Sequence, residues 1–90
     1  MSWMIKMVKK WSDLEISANV LRVAREGAKK SHIVYKANLN FKIVNGYLTH
    51  LQETGLIFSP LDNEHLFKTT AKGLEYIDEY TRLTRTFNTI

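Results

Sequence analysis

The stretch that decides the fold is residues 31–69, which read SHIVYKANLNFKIVNGYLTHLQETGLIFSPLDNEHLFKT. Ser31 is an N-cap residue type and predicts a short helix over residues 32–37. Asn38 and Asn40 predict a tight turn after it, because asparagine tolerates left-handed backbone and caps the helix that follows. Residues 41–54 predict that next helix. Two short helices joined by a tight turn form a helix-turn-helix.

A β-hairpin is predicted directly after these helices. Residues 56–59 and 65–69 are short apolar segments typical of strands, and residues 60–64 have the proline, aspartate and asparagine of a turn. This turn excludes a plain helix bundle, because it would break a further helix at that place. A hairpin that follows a helix-turn-helix is a wing. The predicted fold class is therefore α+β, mostly α: a winged helix-turn-helix with a C-terminal dimerisation helix.

The segment before residue 31 predicts one long helix and an N-terminal extension. Ser12 and Glu15 have the spacing of a capping box, and Gly27 is expected to end the helix that they begin. In residues 1–11 the spacing of apolar residues fits either an added strand or a helical extension, and both remain open. The predicted organisation is an extension at 1–11, the winged domain at 12–70 and a terminal helix at 71–90.

The terminal helix is expected to begin after Thr70 and to run from Ala71 to about Phe87. Leu74 and Ile77 are expected to pack on the domain core. A second apolar stripe with heptad spacing predicts a homodimer seam, which consists of Tyr76, Tyr80, Leu83 and Phe87. The alternative is that the helix folds back and buries both stripes against the N-terminal tryptophans.

Composition excludes several classes of protein. The chain has 90 residues, which is enough for one domain, and no cysteine, which excludes disulfides, thiolate zinc sites and iron–sulfur clusters. It has no apolar run long enough to cross a membrane. The three histidines fall on different predicted elements, and no glycine-rich phosphate loop is present. We therefore expect no enzyme, no metal, no cofactor, no small-molecule effector and a cytoplasmic, nucleoid-associated protein.

The charge is unevenly distributed along the chain, whose formal net charge is +4. Residues 1–42 hold nine of the thirteen Lys and Arg residues but only three of the nine acids, whereas residues 43–90 are mildly acidic. A basic half predicts a polyanionic partner on one side of the molecule, and the alternative is a solubilising surface.

Two groups of residues are candidates for contact with duplex DNA, since the second helix of a helix-turn-helix enters the major groove. Candidate base contacts on the helix at 41–54 are Lys42, Asn45, Thr49 and His50. Candidate phosphate contacts around the preceding helix are Lys29, Lys30, Ser31, His32 and Lys36. The hairpin turn carries Asp62 and Glu64, so we expect it to stay off the DNA or to meet a protein.

Residues 29–41, KKSHIVYKANLNF, resemble a signature of archaeal winged-helix proteins, whose members include small Sulfolobus DNA-binding proteins that dimerise through a coiled coil. Residues 47–57 and 67–73 fit the same pattern, and the resemblance extends from Asp13 to Tyr80. His32 stands where the family commonly has arginine, and the terminal helix is short. The resemblance implies a homodimeric archaeal transcription regulator that binds double-stranded DNA. A winged-helix protein-interaction module and a non-specific chromatin architectural protein are the alternatives.

Overall fold

A computed structural model describes the backbone of residues 2–88 and the side chains of residues 13–85. The chain forms four helices and three short strands within this range. In chain order these elements are α1 (Ser2–Val23), β1 (Ala28–Lys29), α2 (Lys30–Ala37), α3 (Phe41–Glu53), β2 (Ile57–Phe58), β3 (Leu66–Thr69) and α4 (Ala71–Asn88). The winged helix-turn-helix predicted from residues 31–69 is confirmed.

The turn between α2 and α3 is built by its two asparagines, as predicted. Asn38 ends α2 in the left-handed region with φ 55°, and its backbone N–H donates to the carbonyls of the last helical turn. The side chain of Asn40 accepts a hydrogen bond of 2.8 Å from the backbone N–H of Ile43. The N-cap assignment of Ser31 is wrong. Lys29 holds that position without a side-chain cap, because β1 turns directly into α2 and places Ser31 inside the first turn.

The wing is a three-stranded antiparallel sheet in the order β1–β3–β2. The predicted hairpin is confirmed, with Ile57 opposite Thr69 and Phe58 opposite Lys68. The sequence analysis did not predict β1, which pairs Ala28 with Phe67 on the other edge of β3. This strand leads directly into α2 and pairs the segment before that helix with β3.

The first helix is longer than predicted. It begins at Ser2 and continues through Ser12, so the predicted capping box at Ser12 and Glu15 is wrong. A residue in the middle of a helix has a helical backbone and cannot act as an N-cap, which requires extended backbone. Two alternatives were open for residues 1–11, a strand or a helical extension, and from Ser2 onward the backbone is helical. The helix ends at Val23, and Gly27 follows in a turn with φ +102°.

The core lies between the four helices and the sheet. Its fully buried side chains of largest volume are Leu21, Ile33, Leu51, Ile57, Val20 and Val44. Thr69 is also buried, and its hydroxyl donates to the carbonyl oxygen of Leu21 at 2.6 Å. Ile77 packs in the core as expected, but the same expectation for Leu74 is wrong, because it lies on the flank of α4 and is 38% exposed.

The start of α4 packs closely against Leu56, at the end of the connection between α3 and β2. Thr70 caps α4, since its hydroxyl accepts from the backbone N–H of Gly73 at 3.1 Å. The Thr70 backbone N–H donates to the carbonyl oxygen of Leu56. A Cβ atom added at Gly73 would lie 2.3 Å from that same oxygen. Glycine is therefore required at this position by close approach of the backbone.

Candidate nucleic-acid interface

The helix α3 has one buried face and one exposed face. Val44, Leu48 and Leu51 pack in the core, whereas Tyr47 is only half-buried. All four candidate base contacts are exposed, and they fall on the side of α3 away from this stripe. We call this set the reading face, and it consists of Lys42, Asn45, Thr49 and His50.

Gly46 lies among the residues of the reading face and is exposed. A Cβ atom added there would meet nothing within 4 Å, so no other part of the described chain approaches this glycine. A glycine inside a helix costs about 1 kcal/mol relative to alanine, but it permits close approach of another helix or of a ligand backbone. Among the described residues, no other helix of the protomer makes such an approach to Gly46. The middle of the reading face therefore has a position without a side chain.

Four of the five candidate phosphate contacts lie at residues 29–32, where α2 begins, and the fifth, Lys36, lies in the last turn of α2. Lys29, Ser31, His32 and Lys36 are exposed, and Lys30 is half-buried. Two open clefts border this group, of about 480 Å³ and 350 Å³. We call the five residues the α2 cluster. The ammonium groups of Lys29 and Lys30, the hydroxyl of Ser31 and the imidazole of His32 thus lie next to the first backbone N–H groups of a helix. Hydrogen-bond donors in this arrangement suit a phosphate oxygen.

Tyr35 was missed by the sequence analysis. It is 79% exposed on α2, and it lines the larger cleft together with Ser31 and His32. A tyrosine that is so exposed carries an available hydroxyl on an apolar ring, which is a common donor to phosphate oxygens. The signal in the sequence was an aromatic residue on the polar side of a short helix, between Ile33 and Lys36.

The wing turn carries apolar and acidic side chains into solvent. Leu61 at the turn is fully exposed, and Glu64 and His65 line the smaller cleft beside Lys29 and Lys30. A carboxylate at this place repels phosphate. The prediction that the turn stays off the DNA is consistent with this placement and is not tested by it.

A hydrogen bond connects α3 to α1. The Tyr47 hydroxyl donates to Oδ1 of Asp13 at 2.7 Å. Burial and the Asp13 carboxylate, which accepts this hydrogen bond, raise the pKa of Tyr47 to about 12. The phenol is therefore protonated and able to donate throughout the neutral range. The sequence analysis did not single out this pair.

The four residues of the predicted dimer seam have different environments. Tyr80 is 7% exposed, with the Arg22 guanidinium 5.6 Å from the centre of its ring, so it is covered within the protomer, and its place in a dimer seam stays a prediction. Tyr76 is half-buried and packs against the core. The physical reason is that the long α1 covers this side of α4. Leu83 is 46% exposed, whereas the side chain of Phe87 lies outside the described residues.

The described residues contain no group of three or more histidine, aspartate or glutamate side chains that could hold a metal ion. Within the same range, no helix combines the length and the apolar character needed to cross a membrane. The predictions that the chain is not an enzyme and takes no cofactor stay predictions.

Helix-turn-helix, three-stranded wing and closing helix together define a class of protein, and the comparison by sequence agrees. The chain belongs to the winged helix-turn-helix family, whose family model matches residues 10–88. No curated protein matches the chain.

Solved structures share this fold. The chain is similar to Sso10a-2, a DNA-binding protein from Sulfolobus solfataricus, with a TM-score of 0.72 and 22% identity over 84% of this chain and 81% of that chain. It is also similar to a variant of S. aureus MepR (TM-score 0.69, 15% identity, 99% of this chain and 80% of that chain). A variant of Lactococcus lactis ZitR in its apo form has a TM-score of 0.65 and 20% identity over 98% of this chain and 70% of that chain. The expected resemblance to small Sulfolobus winged-helix proteins is confirmed.

Proposed function

We propose that the chain binds double-stranded DNA as a transcription regulator of the archaeal type, with α3 in the major groove. The observation that carries this proposal is the reading face, which presents four exposed hydrogen-bonding side chains around a glycine that nothing else in the described chain approaches. The matching solved structures include Sso10a-2, which is itself described as a DNA-binding protein.

In this proposal the reading face selects sequence and the α2 cluster holds the backbone. The carboxamide of Asn45 has the donor and acceptor needed to pair with the edge of adenine. Lys42 reaches guanine or a phosphate, and Thr49 and His50 add single hydrogen bonds. The lysines of the α2 cluster neutralise phosphates and fix the register of the protein on the duplex.

The basic half of the chain supports the same orientation. Both groups of candidate contacts lie within residues 29–50, and residues 1–42 hold most of the positive charge. Lys6, Lys9 and Lys10 lie on the N-terminal part of α1, where side chains are outside the described range. We propose that they add phosphate contacts, and that the protein is associated with the nucleoid.

Salt dependence of DNA binding tests this function. We expect the affinity for a labelled mixed-sequence duplex to fall by about 100-fold between about 50 and 200 mM salt, if about four phosphate contacts release counterions. Fluorescence anisotropy measures this directly. Absence of duplex binding at both salt concentrations contradicts the proposal.

We further propose that the protein acts as a homodimer through α4. Leu83 is 46% exposed on α4, and Tyr76, two helical turns earlier, is half-buried. A dimer would present two reading faces to half-sites about one helical turn of DNA, or about 34 Å, apart.

The dimer is tested by mass. We expect light scattering to give twice the chain mass of 10.5 kDa, and Leu83→Arg to shift the protein toward the monomer because a charge cannot be buried at an apolar seam. Asp78→Arg introduces the same side chain at another exposed position of α4 and serves as the control. If the unaltered protein has the mass of a monomer at about 100 µM, the dimer proposal is contradicted, whereas the proposal of DNA binding is unaffected.

A protein-interaction module is the second candidate function, and the fully exposed Leu61 beside acidic residues at the wing turn favours it. This alternative predicts no salt-dependent duplex binding. A chromatin architectural protein, in contrast, binds duplexes but shows equal affinity for all sequences.

A further inference from the structure

An open groove of about 670 Å³ separates α1 from α3. On the α3 side, its wall includes Lys42, Gly46 and His50, so the groove adjoins the reading face. The buried contacts of α3 are on its opposite side, at Val44, Leu48 and Leu51. One flank of the recognition helix is therefore packed and the other flank faces open space.

The hydrogen bond between Tyr47 and Asp13 crosses this groove. It joins residues 34 positions apart in the chain, and its donor lies one residue after Gly46. Asp13 belongs to α1, which is itself fixed to α4, because Arg22 donates to the Thr81 hydroxyl at 3.1 Å and stacks on Tyr80. The bond thus ties the less packed flank of α3 to the pair of long helices.

We propose that Tyr47 and Asp13 are positioning residues, which hold α3 at one rotation relative to α1 and so set the sequence discrimination of the reading face. This inference rests on the proposed DNA binding. Hydrogen bonds to base edges are strongly directional, so a small rotation of α3 weakens base contacts more than it weakens contacts to phosphates. The Tyr47 phenol keeps its proton at neutral pH, because the pKa of an ordinary tyrosine is already about 10 and that of Tyr47 is raised to about 12.

The test uses the ratio of two affinities, one for a duplex selected from a random pool by the unaltered protein and one for a mixed-sequence duplex. Tyr47→Phe removes the donor without changing charge, and we expect the ratio to fall about threefold to tenfold. The salt dependence of binding should stay unchanged, because no phosphate contact is removed. A loss of folding alone would lower the active fraction of protein but leave this ratio as it was.

Asp13 provides a matched pair of variants. Asp13→Asn and Asp13→Leu both remove the negative charge, but the asparagine oxygen can still accept from Tyr47. We expect Asp13→Leu to lower the ratio as Tyr47→Phe does, Asp13→Asn to retain it, and the double variant Tyr47→Phe with Asp13→Leu to lose no more than either single variant.

The outcomes separate the two proposals. If the unaltered protein binds no duplex, the proposed function fails and this inference fails with it. If it binds and discriminates, but Tyr47→Phe has an unchanged ratio or the two single effects add, the positioning role alone is overturned. Thermal unfolding of each variant, measured in parallel, identifies a variant that has merely lost stability.

Discussion

We expect Gly73→Ala to lower the free energy of unfolding by about 2–3 kcal/mol, because the added methyl group would be forced against atoms that cannot move away. The added Cβ would lie 2.3 Å from the carbonyl oxygen of Leu56 and 2.5 Å from Cγ2 of Thr69. Both neighbours are held in place, since Leu56 accepts from the Thr70 N–H and the Thr69 hydroxyl donates to Leu21. Relief would require α4 to move away from the α3–β2 connection.

The same substitution at Gly46 is the matched control. Nothing lies within 4 Å of a Cβ atom there, and Gly46 is in the middle of α3, so alanine should raise the free energy of unfolding by up to about 1 kcal/mol through helix propensity. Thermal denaturation at one protein concentration measures both variants. Equal midpoints for the two alanine variants would show that the close approach at Gly73 is absent in solution.

Asn45→Ala should reduce discrimination between DNA sequences by about 5- to 150-fold, which is the range for one bidentate contact to a base. Asn45 is exposed on the reading face and makes no contact that the core depends on, so stability should stay the same. The measurement compares the affinity for a selected duplex with that for duplexes altered at single base pairs. Discrimination should be lost at one base pair of each half-site and kept at the others.

Lys30→Ala is the control for Asn45→Ala, because it removes a candidate phosphate contact instead of a candidate base contact. Lys30 belongs to the α2 cluster, so its removal should weaken binding about equally on every sequence and reduce the salt dependence by about one phosphate contact per site. If Asn45→Ala also weakens all sequences equally, α3 does not read bases and the assignment of the reading face is wrong.

The central elements could be predicted because their boundaries depend on single residues. Asn40 caps α3 and Thr70 caps α4 through hydrogen bonds within three residues, so the sequence pattern there is sufficient. Ser12 and Ser31 are also of a residue type that commonly caps helices, but neither of them caps a helix here. At Ser12 the helix had already begun upstream, and at Ser31 the pairing of β1 with β3 moved the start of α2.

Two features that the sequence analysis missed, the strand β1 and the hydrogen bond between Tyr47 and Asp13, depend on contact between distant segments. The strand β1 is two residues long and exists because β3 pairs with it, which no local periodicity reveals. The link between Tyr47 and Asp13 depends on how α1 crosses α3. The exposed residues of α3, in contrast, followed from helical spacing alone once Val44, Leu48 and Leu51 were placed inside.

The pairing of α1 with α4 has a consequence for how the protein is made. The ribosome releases α1 first and α4 last among the described elements, yet Arg22 on α1 meets Thr81 and Tyr80 on α4. Until the segment around Ile77 has left the exit tunnel, the nascent chain carries Leu21 and Ala24 without the helix that helps to cover them. Folding is therefore completed after most of this chain has been translated, and a chaperone would meet an exposed apolar surface on α1 during that interval.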